Sequence, residues 1–169
     1  MNLSDITILI PSIGRNSLIR AIKSIPNECK IKVLLQGPTN YEFISSVEDL
    51  IDNHNLFMSK DKLGAGKAKQ LLIDFHAGTD FFMILDDDDW IPEGYLEECL
   101  PILEKGFKWI SPCILGPQEN KGVKYTEVNN ANDVNLRLFN YESFSDTYAR
   151  YHLYPCNSSI ISTEEFVKL

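Results

Sequence analysis

Apolar and polar positions alternate along the first half of the chain in a strand-then-helix rhythm. Ile6-Thr7-Ile8-Leu9-Ile10 is a β-branched run stopped by Pro11, the pattern of a strand buried on both faces. Asn16-Ser17 supply a helix cap. Behind them Leu18, Ile19, Ala21, Ile22 and Ile25 recur at spacings of three and four, which places them on one helical face. Pro26-Asn27 closes that helix, Ile31-Lys32-Val33-Leu34-Leu35 is the next strand, and Gln36-Gly37-Pro38-Thr39 turns the chain. Strand, helix and strand within about thirty residues make a βαβ unit with a parallel strand pair.

The rhythm continues with a helix over Tyr41–Asn53, a short strand Leu56-Phe57-Met58, and a helix over Leu63–Ala77 opened by Gly64 and Gly66. Phe81-Phe82-Met83-Ile84-Leu85 is a fourth buried strand. Pro92 suits a first helical turn and opens a helix carrying Tyr95, Leu96, Cys99 and Leu100, which Pro101 ends or kinks. After Gly106, Trp109–Leu115 reads as a strand with Lys121–Val128 as its partner. Asn129–Asn140 reads as a surface loop or irregular helix, and Ser158–Ser162 as a last short strand. Thr163 caps a helix that has barely begun at Leu169, the pattern expected of a truncated chain or of a domain reduced to its first part. The expected class is α/β: a Rossmann-like, mostly parallel central sheet with helices on both faces, in a single domain over 1–169.

Composition narrows the function. A chain of 169 residues buries a substantial core, and 44% hydrophobic with 24% charged residues excludes disorder. The longest apolar runs, Ile6–Ile10 and Phe81–Leu85, are far shorter than the ~20 residues of a spanning helix, and no basic segment followed by an apolar stretch opens the chain. The expected location is the cytoplasm, or the periphery of a membrane. Sixteen basic against twenty-four acidic residues leave a net charge of −8, which excludes a basic nucleic-acid binder. Cys29, Cys99, Cys113 and Cys156 form no C-x-x-C pair, so they are expected as reduced, buried thiols without metal.

Half of that net charge sits in one tetrapeptide, Asp86-Asp87-Asp88-Asp89, directly after the fourth strand. Ligands of open α/β sheets bind beyond the carboxyl ends of the strands. Adjacent carboxylates repel by about 4 kcal/mol at 4 Å and an effective dielectric of ~20, so the tetrad calls for a counter-charge or open water. A hard divalent cation, Mn²⁺ or Mg²⁺, bridging substrate phosphates is one answer; a solvated acidic turn before a helix is the other. Gly64-Ala65-Gly66-Lys67-Ala68-Lys69 is neither a P-loop nor a dinucleotide fingerprint, because Asp61, Ala68 and Lys69 occupy positions those motifs reserve for other residues. It is a glycine-loosened helix start whose Lys62, Lys67 and Lys69 suit a diphosphate. Pro11-Ser12-Ile13-Gly14-Arg15 is a third loop, at the end of the first strand, suited to a nucleotide sugar or base.

Together these segments resemble the family 2 glycosyltransferases of the GT-A fold. Ile6–Arg15 is similar to that family's opening strand and Pro-Thr-x-Asn-Arg type loop, Gly64–Gln70 to its stretch ending in Ala-Arg-Asn, and Leu85–Pro92 to its Leu-Asp-x-Asp-Asp signature. Asn157–Leu169 is similar to the segment leading into its Gly-Gly-Phe turn. The resemblance implies a donor-binding half over 1–105 and a partial acceptor-side half over 106–169. It implies Asp88 and Asp86 as metal ligands, Asp86 and Asp87 near ribose and sugar, and Pro11, Ser12, Ile13 and Arg15 around the nucleoside, with Gly64 and Lys67 beside the donor. The implied reaction is transfer of a sugar from a nucleoside diphosphate, a UDP-sugar ahead of GDP- or dTDP-sugars, to a saccharide or glycoconjugate hydroxyl, with inversion and with a carboxylate as base.

Two departures stand out. Gln36-Gly37-Pro38-Thr39 replaces the family's acidic turn after the second strand, leaving the Gln36 amide to meet a base edge. By the resemblance, the family's base belongs to a later segment that these 169 residues do not reach, so a base would come from Asp146, His152, a partner chain or nowhere. A degenerate nucleotide-sugar-binding module is the alternative reading; a nucleotidyltransferase and a calcium-binding domain rank below it.

Overall fold

The computed structural model describes residues 1–75, 79–112, 136–139 and 159–167. Among these residues, seven strands form one sheet: β1 (Ile6–Ser12), β2 (Lys30–Gln36), β3 (Leu56–Ser59), β4 (Phe81–Ile84), β5 (Trp109–Pro112), β6 (Leu136–Phe139) and β7 (Ile160–Ser162), in the spatial order β3-β2-β1-β4-β7-β5-β6. β1 pairs in parallel with β2 and β4, and β2 with β3. β7 enters antiparallel to β4, and β5 pairs antiparallel with β7 and β6. β1 to β4 and β5 therefore run in one direction, and the α/β, mostly parallel expectation holds. The helices are α1 (Ser17–Lys23), α2 (Tyr41–Glu48), α3 (Ala65–Phe75), α4 (Tyr95–Glu104) and α5 (Thr163–Val167).

The run Ile6–Ile10 is continuously apolar because both faces of β1 are covered. Ile6, Ile8 and Ile10 enter one core with Leu18 and Ile22 of α1, Val47 of α2 and Leu96 and Cys99 of α4. Leu9 enters the opposite core with Ala68 and Leu72 of α3, Phe82 and Ile161. Side chains alternate across a strand, so one unbroken run serves two layers. α5 joins the second layer through Phe166, whose ring meets Phe82 edge-on at 5.2 Å.

Strand order sets where a ligand crevice opens. From β1 the chain moves outward to β2 and β3, then returns to place β4 on the other side of β1. The loops after β1 and β4 thus diverge at a topological switch point, the standard crevice of a doubly wound sheet.

Four local expectations are corrected. Asn16 makes no side-chain cap; α1 begins on backbone bonds from Leu18 to Arg15 and from Ile19 to Asn16. Pro92 precedes α4, which starts at Tyr95 behind Gly94 at φ 80°. Pro101 neither ends nor bounds that helix, which runs on to Glu104. The proline costs only the bond to the Glu97 carbonyl on the exposed side, while Leu96, Cys99 and Leu103 anchor the buried face. Within 129–140, expected as loop or irregular helix, Leu136–Phe139 is a strand paired with β5; a tertiary partner overrides the polar sequence around it. Lys121–Val128 lies outside the described residues.

Candidate functional site

Beyond the C-terminal ends of β1, β2 and β4 lies a cleft of about 390 Å³, lined by Pro11, Ser12, Ile13, Arg15, Gln36, Lys62, Gly64, Ala65 and Asp86 to Asp88. Four separate segments of sequence therefore meet at the switch point. A larger hollow of about 530 Å³ opens at the other end of the sheet, beside Cys29, Lys30 and Ile51. Burial, ahead of Glu97 and Glu28, pushes the Cys29 thiol there up to about 12, which makes it a poor nucleophile. The smaller cleft gathers the acidic turn together with Arg15, Gln36 and Lys62.

The four aspartates occupy four different environments. A backbone bond from the Asp89 N–H to the Asp86 carbonyl (3.0 Å) closes a β-turn with Asp87 and Asp88 at its centre. Asp87 points inward and is 5% exposed. Ser12 Oγ donates to its Oδ2 (2.5 Å), Arg15 Nη1 to its Oδ1 (3.2 Å), and the Gly14 N–H donates to Ser12 Oγ (3.0 Å). Asp88 points outward, its side chain 61% exposed, and accepts from Arg15 Nη1 at 2.9 Å. Asp86 pairs with Lys69 Nζ at 3.0 Å. Partial desolvation, then the carboxylates of Asp86 and Asp88, push the Asp89 carboxyl above its ordinary value, while Arg20 and Lys69 pull the other way.

Counter-charge for the tetrad is thus built into the chain as Arg15 and Lys69. No group of three or more His, Cys, Asp or Glu side chains converges on a metal position among the described residues. The donor set fits a hard cation in one specific way. Mg²⁺ is commonly held by one or two carboxylates, with water and substrate phosphates completing its shell, and Asp88, exposed at the cleft, with Asp86 beside it matches that. Asp87 does not, because Ser12 and Arg15 take both its oxygens.

Gln36 is 4% exposed at the end of β2. The Leu63 N–H donates to its Oε1 at 3.0 Å. A backbone N–H must meet the oxygen, so the amide orientation is determined and its NH₂ end is what Gln36 has left to offer the cleft. Gly64, at φ 80°, turns the chain into α3. Lys67 is exposed and is not among the cleft residues; two positions along a helix face nearly opposite ways, so a helix that turns Lys69 to Asp86 turns Lys67 away. Lys62 lines the cleft in its place. Asp146 and His152 lie outside the described residues, as do Cys113 and Cys156.

Two contributors went unnoticed in the sequence. Arg20 of α1 donates from Nη2 to the Asp88 carbonyl (2.8 Å), and its guanidinium lies 4.4 Å from the centroid of the Trp90 ring. Ser24 Oγ accepts from the Ile91 N–H at 2.9 Å. Their spacing of four marks one helical face, but nothing local to α1 names the acidic turn as its partner.

The sequence matches no protein-family model and no curated protein. Among solved structures it superposes on residues 1–349 of S. aureus TarS with a TM-score of 0.51 and 16% identity. That match covers 71% of this chain and 38% of the other. The same fragment in complex with UDP-GlcNAc gives 0.52 and 15%, over 71% and 37% of the two chains. A longer TarS structure gives 0.50 and 15%, over 70% and 23%. The fold is GT-A-like. The chain spans less than two fifths of the length of these structures, and the likeness is one of architecture. Among the described residues, no helix is long and apolar enough to cross a membrane.

Proposed function

We propose that this chain is a nucleotide-sugar glycosyltransferase of the family 2 type, with the switch-point cleft as its donor site. The observation that carries the reading is the meeting of the β1 loop, Gln36, the α3 start and the acidic turn after β4 around one cleft. The GT-A-like architecture supports it, and a TarS fragment was solved with UDP-GlcNAc, which favours a UDP-sugar over GDP- or dTDP-sugars.

In this reading the residues divide the labour. Pro11, Ser12, Ile13 and Arg15 line the nucleoside side, and Gln36 offers amide donors to an acceptor atom of the base. Lys62, at the cleft edge, meets diphosphate charge. Asp88 and Asp86 would hold Mn²⁺ or Mg²⁺, which when bound offsets the charge developing on the leaving nucleoside diphosphate. Arg15, which bridges Asp87 and Asp88, would be available to phosphate if Asp88 held the metal. In the transfer, the acceptor oxygen bonds to the anomeric carbon as the bond from that carbon to the phosphate oxygen breaks. The acceptor proton passes to a carboxylate outside the described residues, and the anomeric centre inverts.

The test is a thermal-shift screen of uridine, guanosine and thymidine diphosphates with and without Mn²⁺, followed by donor hydrolysis and transfer assays. A Mn²⁺-dependent rise in melting temperature, largest for uridine diphosphate, is expected. No shift with any of the three removes the donor-site reading. Binding without turnover of any donor assigns the chain to the non-catalytic module.

A further inference from the structure

Helix α1 grips the acidic turn at three points that no cleft residue provides. Arg20 Nη2 donates to the Asp88 carbonyl at 2.8 Å, the same guanidinium lies 4.4 Å from the Trp90 ring centroid, and Ser24 Oγ accepts the Ile91 N–H at 2.9 Å. The carbonyl concerned is that of the second central residue of the turn, so the bond restrains the backbone that carries the Asp88 side chain. A charge-assisted bond to that carbonyl is stronger than a neutral one, and a guanidinium over an indole adds a second restraint on the next residue but one. The other face of α1, Leu18, Ala21 and Ile22, is buried in the core. Arg20 therefore projects from a fixed base. The turn itself carries like charges that repel, so an external clamp has mechanical work to do there.

We infer that Arg20 is a positioning residue: by holding the Asp88 carbonyl and the Trp90 ring, it aims the Asp88 carboxylate into the cleft, with Ser24 as the second anchor. This rests on the donor-site reading above for its functional consequence, but the clamp itself is a property of the free protein. Arg20 does not line the cleft, so it acts through Asp88 rather than on a ligand.

The experiment compares wild type, Arg20→Ala, Arg20→Lys and Trp90→Leu by two measurements. The first is amide hydrogen exchange across Asp86–Ile91 in the free protein; the second is titration calorimetry of uridine diphosphate with Mn²⁺. Arg20→Ala is expected to speed exchange in that segment alone and to weaken nucleotide affinity about tenfold, the equivalent of about 1.4 kcal/mol. Arg20→Lys, which keeps a cation and a donor, restores part of both, and Trp90→Leu has a smaller effect on each. Unchanged exchange in Arg20→Ala overturns the clamp. Faster exchange with unchanged affinity overturns its role in binding and leaves Arg20 a structural residue. Should Arg20→Ala not fold, Arg20→Lys and Trp90→Leu decide by the same two readings. If the wild type binds no nucleoside diphosphate, the donor-site reading fails while the exchange comparison still decides on the clamp.

Discussion

Arg15 Nη1 bridges two consecutive aspartates of opposite exposure, lying 3.2 Å from the Oδ1 of buried Asp87 and 2.9 Å from the Oδ2 of exposed Asp88. One guanidinium thus joins a structural acid to one that faces solvent.

The two acids should separate cleanly under mutation. Asp87→Asn weakens the bonds from Ser12 and Arg15 in a buried setting and is expected to cost about 1–3 kcal/mol. Asp88→Ala leaves the Asp87 cluster in place and should stay within about 0.5 kcal/mol of wild type. Urea denaturation checks both. Calorimetry should show the reverse order for ligands, with Asp88→Ala losing Mn²⁺-dependent binding of uridine diphosphate. An Asp88→Ala variant that binds as wild type does removes that residue from the metal site.

Gln36 offers a sharper test of what the cleft reads. Gln36→Glu keeps an oxygen for the Leu63 N–H but replaces the amide donors with a second acceptor. Affinity for uridine diphosphate should fall about tenfold or more, an acceptor now opposing a carbonyl of the base. Gln36→Leu additionally strips the partner from the Leu63 N–H and should cost about 1–3 kcal/mol of stability. Equal nucleotide affinity in wild type and Gln36→Glu would show that this amide does not face the base.

Gly37 has φ +79° in the turn after β2, and a Cβ there would stand 3.1 Å from Lys62 Cγ. Lys62 is exposed and able to shift, so the backbone conformation sets most of the cost. Gly37→Ala is expected to lower stability by about 1–2 kcal/mol, read as a lower midpoint in chemical denaturation.

Cys29 and Cys99 are buried and each thiol is pushed up to about 12. Burial dominates at both. Glu97 and Glu28 add to it at Cys29; at Cys99, Glu98 and Glu97 add to it while a hydrogen bond with Tyr95 opposes. Against a thiol of ordinary pKa, the thiolate fraction at pH 8 is lower by roughly a thousandfold. Iodoacetamide at pH 8 should therefore leave both residues unmodified in the native protein and modify them after denaturation, as peptide mass spectrometry will show. The folded state holds these protons more tightly than the unfolded chain, so their contribution is fully present below the ordinary value of 9.0 and is lost as pH rises from there toward about 12. Stability should fall over that alkaline window.

Periodicity along the chain was enough for β1 to β4, the helices between them and the acidic turn at a strand's carboxyl end, because each depends on residues close in sequence. The late strands were harder. β6 is only four residues, Leu136-Arg137-Leu138-Phe139, inside an Asn-rich stretch, and is defined by its pairing with β5, and Pro101 sits inside a helix whose buried face outweighs one missing bond. At the cleft, the residue types in the three loops announced themselves, yet the burial and partners of the four aspartates were not legible in sequence.

What the sequence alone determined is therefore the order of elements, the parallel half of the sheet and the placing of acids, glycines and basic residues at loop ends, since short-range spacing dictates all of these. Only the tertiary structure decided which partner each acid meets. Ser12 reaches Asp87 across 75 residues and Arg20 reaches the Asp88 carbonyl across 68, while Lys69 takes Asp86. Those partnerships arise where strand order brings the ends of β1 and β4 side by side, and Coulomb attraction and burial then give neighbouring, identical side chains different environments.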